Sequence, residues 1–206
     1  MTNSILVLDL ETTGLHGIAD GDKIVEVSIA SVDFTKQTVR PIFTSPVHYD
    51  DLTEKERTSF IFREGYMEPN DVYDAPFDEE KVAAIVANIL EGEYVTTFNT
   101  EFDLDKFLMP WMDQVIPDIN VMFFRAPCIM RAADQVAEIP RRMHDDMRCW
   151  PSLQASYRTL CASDYDDQLF PHHAQDDCLM AGRVLLELAD RYLYDPDRED
   201  EYGEVI

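Results

Sequence analysis

The chain is predicted to fold as an α/β domain built on a mixed β-sheet. Three observations point there: three β-type runs lie before residue 45, a fourth follows the first strongly helical stretch, and helical spacing dominates the remainder. With 206 residues, 46% of them hydrophobic, the chain can bury a sizeable core in one domain. Residues 1–194 are read as that domain and 195–206 as an acidic C-terminal tail, where six acids face one arginine.

Residues 5–10, ILVLDL, form a short apolar run closed by Thr12-Thr13-Gly14, which suits a buried strand ending in polar groups. Residues 24–32, IVEVSIASV, are rich in β-branched side chains. Residues 38–44, TVRPIFT, read as a third strand, and Pro41 favours an edge position because it cannot donate to a ladder. Together they predict an antiparallel meander. The proline-punctuated, charged stretch 45–78 reads as a surface excursion with a short helix around 53–63. Val82, Ile85, Val86, Ile89 and Leu90 then recur at helical spacing behind Asp78-Glu79-Glu80, and Gly92 ends that helix. Residues 94–98 read as a strand and Phe102 to Met112 as a helix cut by Pro110. Further helical patterns cover 118–137 and 152–162. Cys178, Ala181, Leu185, Leu188 and Tyr192 step by three and four along a last helix that gives way at Asp195-Pro196.

The formal charge of −24 excludes a nucleic-acid binder that works by bulk electrostatics, since phosphate neutralisation needs Lys and Arg. Local compensation would come from divalent cations or from the segment Arg125 to Arg158, which holds six of the twelve arginines against four acids. That segment either faces a substrate or scatters its arginines on solvated helix faces. The amino terminus carries no basic leader or membrane-length apolar run, and the four cysteines lack the close pairing of a zinc or redox motif. The expectation is a cytoplasmic protein with reduced thiols and no membrane association.

Asp9 and Glu11 stand one residue apart on a strand end, so their carboxylates share a face. Alone, such a pair is more often a solvated strand terminus. Asp103, in Phe98-Asn-Thr-Glu-Phe-Asp103, alone reads as an ordinary helix-start acid. His172 and Asp177, in HHAQDD, span a loop-to-helix junction ahead of the last helix.

In this order, Asp-x-Glu on a first strand, Asp about ninety residues on, then His-x-x-x-x-Asp near the end, the segments LDLETTG, DKIVEVSIA, FNTEFD and HHAQDD resemble the DEDDh (DnaQ-like) exonucleases. That family includes the proofreading subunit of bacterial replicative polymerases, ribonuclease T and oligoribonuclease. The resemblance implies a ribonuclease H-like sheet flanked by helices and metal-dependent 3′→5′ hydrolysis of phosphodiester bonds. It implies two ions of Mg²⁺ or Mn²⁺, with Asp9, Glu11 and Asp177 on one, Asp9 bridging to the second, and Asp103 on the second mainly through water. His172 would be the general base, its ordinary pKa of about 6.5 lying near working pH; His173 and Asp176 are the register alternatives. Leu15 matches an apolar wedge against terminal bases, and Thr12 and Thr13 match contacts to the terminal nucleotide. Asn99 lies in the third motif. Phe102 either stacks on a base or belongs to the core. The chain departs from many relatives at Phe98, where they carry histidine, and at Ala126-Pro-Cys128, where they carry Asp-Thr.

The implied partner is a nucleic acid with a free 3′ end, single-stranded or frayed DNA being favoured over RNA ends and short oligoribonucleotides. A polymerase subunit or another basic protein is a further expected partner of so acidic a chain. The competing reading is a catalytically silent binding module or acidic nucleic-acid mimic, which the charge suits but the retention of all five polar residues does not.

Overall fold

Strand β1 (Ser4–Thr12) divides the molecule in two, because its buried side chains alternate between faces. Leu6, Leu8 and Leu10 enter one core, whereas Ile5 and Val7 enter another. Asp9 and Glu11 continue the second row. The computed structural model describes residues 3–117, 119, 121–141, 143–144, 147–162 and 165–197, with the backbone alone at 143–144 and 147–148. The predicted tail therefore lies outside the described residues from 198 onward.

A 3₁₀ turn (Ile18–Asp20) leads to β2 (Ile24–Asp33), which pairs antiparallel with β1, and β3 (Thr38–Pro46) pairs antiparallel with β2. The meander is as expected, with β3 and its Pro41 at an edge. Three short helices follow, α1 (Glu54–Arg57), α2 (Phe60–Arg63) and α3 (Pro69–Tyr73). This stretch is not the surface excursion that its composition suggests. Val47, Leu52, Ile61, Phe62 and Val72 are buried in the first core. Helix α2 buries only Ile61 and Phe62, α3 only Val72 and α1 no apolar side chain, too few for any period to register in the sequence.

Helix α4 (Glu79–Leu90) starts where expected, with the Asp78 carboxylate accepting the Lys81 N–H at 2.9 Å as its cap. Strand β4 (Tyr94–Thr97) pairs parallel with β1. The helix predicted to be cut at Pro110 instead runs on. Its first part, Glu101–Leu108, is wound with wide π-type turns and passes directly into α5 (Met109–Val115), near whose start Pro110 sits. Among the described residues, the region predicted as helical over 118–137 holds β5 (Phe124–Arg125), parallel to β4, and the single short helix α6 (Ile129–Ala133). A two-stranded ribbon of β6 (Met143–His144) and β7 (Met147–Arg148) precedes α7 (Leu153–Leu160) and α8 (Ala174–Asp190).

The sheet order β3-β2-β1-β4-β5 makes a five-stranded mixed sheet. One face carries α4, α5 and the short helices; the other carries α6, α7 and α8. From β1 the chain passes to β2 on one side, and from its parallel neighbour β4 it passes to β5 on the other. The crevice beyond the carboxyl ends of β1 and β4 is thus a topological switch point, where open α/β sheets characteristically bind ligands. Helix α8 is drawn against this end of the sheet by its buried apolar face and by the Cys178 thiol, which donates to the Ser28 carbonyl at 3.2 Å. Among the described residues no helix is long and apolar enough to cross a membrane.

Candidate active site

A cavity of about 460 Å³ opens at the switch point. Asp9, Glu11, Thr12, Thr13 and Leu15 from the end of β1, Asn99, Phe102 and Asp103 from the exit of β4, and His172 and Asp177 at the start of α8 all line it. Every residue expected at the site from the sequence is therefore on one wall or another. His173, exposed, and Asp176, whose carboxylate accepts the Phe170 N–H at 3.0 Å, are not among the lining residues.

Local structure explains how each acid arrives. The β1–β2 register shifts between Glu11 and Thr12, so the strand turns just after its two carboxylates. Asp103 is only 4% exposed, and its N–H donates to the Asn99 carbonyl at 2.9 Å, closing the turn between β4 and the π-type helix. Wide helical turns of this kind are frequent at functional sites. Asp177, 7% exposed, lies in the first turn of α8, where the helix dipole favours negative charge.

The site is electrostatically loaded. Burial, then the charges of Asp177, Asp103, Glu11 and Glu26, hold the Asp9 carboxyl well above the usual range. Glu11 is raised for the same reasons, burial first and Asp177 next. Asp103 is pushed up to about 7 mainly by burial, partly offset by the Thr97 hydroxyl and the Asn99 backbone. Asp177 is also pushed up to about 7 by burial, against the stabilising His172 N–H. Burial and the neighbouring His173 lower His172, which keeps its imidazole neutral near pH 7.

Such a cluster fits a divalent cation. Glu11, His172 and Asp177 each offer one ligand atom, and the three atoms lie within 4.8 Å of one another. Among the described residues Oδ1 of Asp177, which is buried, has no hydrogen-bond partner, an arrangement that costs free energy unless something positive meets it. Hard cations take such oxygen-rich donor sets. Asp9 and Asp103 line the same cavity without being members of this trio.

The expected substrate contacts are in varied states. Leu15 projects with 73% of its surface exposed. The Thr12 hydroxyl donates to the Gly14 carbonyl at 2.7 Å, and the Thr13 hydroxyl accepts the Lys23 N–H at 2.8 Å, so both shape the loop behind Leu15. Phe102 packs on Phe107 with ring centroids 4.8 Å apart while still facing the cavity. Of the arginine-rich segment, Arg125 pairs with Asp105, and Arg141 binds Asp134 and the carbonyls of Asp134 and Val136. Both guanidinium groups are thus engaged by the protein itself.

Three further residues shape the site. Glu26 lies directly opposite Glu11 in the β1–β2 register, and its carboxylate accepts the N–H of Ala174, the first residue of α8, at 3.0 Å. The Asp22 carboxylate, 4% exposed, accepts the His16 N–H at 2.9 Å and the Gly17 N–H at 3.3 Å beneath the Leu15 loop. Phe60, from α2, forms part of the cavity wall. A polar residue within an apolar strand was the available hint for Glu26.

No protein-family model and no curated protein sequence matches the chain. Solved structures match it in shape. E. coli exonuclease I in complex with a dA16 oligonucleotide superposes with a TM-score of 0.66 at 15% identity, over 94% of this chain and 42% of that one. The chain thus spans less than half the length of exonuclease I. The nuclease domain of 3′hExo, a DEDDh family member bound to rAMP, matches with a TM-score of 0.65 at 14% identity, over 96% of this chain and 97% of that one. Cell-death related nuclease 4 (CRN-4) gives 0.64 at 17% identity, over 92% and 64%. The chain has the ribonuclease H-like fold of the DEDDh 3′→5′ exonucleases.

Proposed function

We propose that this chain is a metal-dependent 3′→5′ exonuclease. The observation that carries the reading is the convergence of Asp9, Glu11, Asp103, His172 and Asp177, from segments far apart along the chain, on one cavity with an unpartnered buried carboxylate oxygen. In this reading Asp9, Glu11 and Asp177 would hold one divalent ion, Mg²⁺ or Mn²⁺, and Asp103, with Asp9, would support a second. Bound ions supply Lewis-acid activation of the phosphodiester and stabilise the departing oxygen. His172 takes the proton of the attacking water, a role that needs the neutral ring its surroundings favour. Leu15 wedges against the terminal bases; Thr12, Thr13, Asn99 and Phe102 bound the pocket for the last nucleotide.

Single-stranded or frayed DNA is the favoured substrate and RNA ends the alternative, discriminated through the 2′-hydroxyl. Both chemistries occur among the structural neighbours: exonuclease I is bound to deoxyoligonucleotides, and a 3′-exonuclease is described recognising the histone mRNA stem-loop. The charge of −24 adds a basic protein, such as a polymerase subunit, as a proposed partner. A cytoplasmic location belongs to the same proposal, since Cys128 and Cys178 keep buried thiols that donate to main-chain carbonyls, the form a reducing compartment maintains. So does the division into a nuclease domain, 1–194, and an acidic tail, 195–206.

The test is purified protein with 5′-labelled single-stranded DNA and RNA, in Mg²⁺, Mn²⁺ or chelator. A 3′→5′ ladder appears only with metal, and Asp9→Ala abolishes it in a folded protein. Full activity of Asp9→Ala, or binding without cleavage under every metal condition, refutes the reading, the latter in favour of a silent binding module.

A further inference from the structure

His172 is fixed at its backbone but not, by hydrogen bonds, at its ring. Its φ of +66° lies in the left-handed region that a non-glycine residue enters only when its surroundings demand it. Its N–H donates to Oδ2 of Asp177 at 3.2 Å. Among the described residues neither ring nitrogen makes a hydrogen bond, so no carboxylate or carbonyl sets the direction of the imidazole. Two aromatic rings do meet it. Phe60 approaches edge-on with centroids 5.2 Å apart and planes at 78°, and Tyr66 lies 4.6 Å away at 49°.

These rings come from one small unit. Helix α2 anchors itself through buried Ile61 and Phe62, leaving Phe60 48% exposed on its other side. Gly65, at φ +76°, reverses the chain, and the Tyr66 N–H returns to the Ile61 carbonyl at 3.1 Å. Tyr66 is thereby laid against Phe60 at 5.5 Å, and the two present a corner into which the imidazole packs.

We propose that Phe60 and Tyr66 are positioning residues for His172, holding its ring over the carboxylates by aromatic contact. The proposal rests on the reading of His172 as general base. Its physical logic is that an orienting hydrogen bond occupies one imidazole nitrogen, whereas ring packing restricts the imidazole by shape and leaves both nitrogens available. Aromatic pairs favour such edge-on and tilted geometries. A proton acceptor displaced by about 1 Å loses much of its effect.

The test combines kinetics with a spectroscopic readout. On a 5′-labelled oligonucleotide with saturating Mg²⁺, Phe60→Ala and Tyr66→Ala should each lower kcat about tenfold, with KM within about twofold. Tyr66→Phe should restore most of the rate. In a His172→Ala background neither alanine variant should lower kcat further. In parallel, ¹H–¹³C spectra of histidine-labelled protein, with the His172 signal assigned by its loss in His172→Ala, should show that signal shift in Tyr66→Ala and return in Tyr66→Phe. A raised KM at unchanged kcat makes these rings substrate contacts and overturns the proposal. So does a further loss of kcat in the His172→Ala background, or an unmoved His172 signal in Tyr66→Ala. If His172→Ala itself keeps full kcat, the general-base reading falls and the positioning role with it, while the spectra still report separately whether the rings pack.

Discussion

The main-chain N–H of His172 donates to Oδ2 of Asp177, and the other oxygen of that carboxylate is buried without a partner among the described residues. One acid thus ties the loop of the proposed base to the first turn of α8 and still keeps an oxygen for a cation. Asp177→Asn should lower kcat about a hundredfold or more while leaving the metal-free protein folded. Mn²⁺ should raise the Tm of the parent protein through binding to the folded state, and should fail to do so in the variant. Thermal unfolding with and without the ion decides it; an equal shift in both proteins would remove Asp177 from the metal site.

Asp103 and Asp177 also set a pH dependence. Both carboxyls are pushed up to about 7 in the folded chain, well above the ordinary value near 4 of an unfolded one. Between about pH 4 and 7 the folded state holds protons that the unfolded state has released, so this contribution is present at the acid end and is lost as pH rises through 7. Metal-free protein should have a Tm lower at pH 8 than at pH 5 by about 5 °C or more. Asp103→Asn should flatten the slope, and Mg²⁺ at pH 8 should recover part of the loss. A Tm that climbs from pH 5 to pH 8 in chelator would contradict the buried-acid cluster.

Glu26 holds the start of α8 through its bond to the Ala174 N–H while lying opposite Glu11. Glu26→Ala should cost about 1 kcal/mol of stability, as for a lost helix cap, and lower kcat by displacing His172 and Asp177 together. Glu26→Gln keeps an acceptor and removes a charge that raises Asp9 and Glu11, so it should retain most of the stability. Urea unfolding of the pair distinguishes cap from charge: equal losses would mean that the bond to α8 contributes little.

Asp22 acts on the other rim. Its carboxylate receives two N–H groups of the Leu15 loop, and a Cβ on Gly14 would stand 2.3 Å from its oxygens. Asp22→Ala should loosen the loop, raising KM for single strands several-fold with a smaller effect on kcat. Steady-state kinetics on oligonucleotides of fixed length provide the check, and a loss confined to kcat would place Asp22 nearer the chemistry than its contacts allow.

Much of this was legible in the chain. A period of two puts Asp9 and Glu11 on one strand face, and the structure carries that face into the α8 side of the sheet. Asp78 caps α4, Pro41 sits on the edge strand, and the order of acidic motifs resembles that of a family whose fold the chain has. These features are local: capping, strand alternation and helical spacing are decided within a few residues and leave a pattern to read.

What tertiary packing decided has no such pattern. The stretch 45–78 is aperiodic, so its burial and the delivery of Phe60 and Tyr66 to His172 emerge only when α2 docks on the sheet. Glu26 faces Glu11 because of strand register, and Arg125 pairs with Asp105, a residue of a different element, only once β5 has docked beside β4. Register and docking depend on contacts between residues far apart along the chain, whose energies no single segment contains.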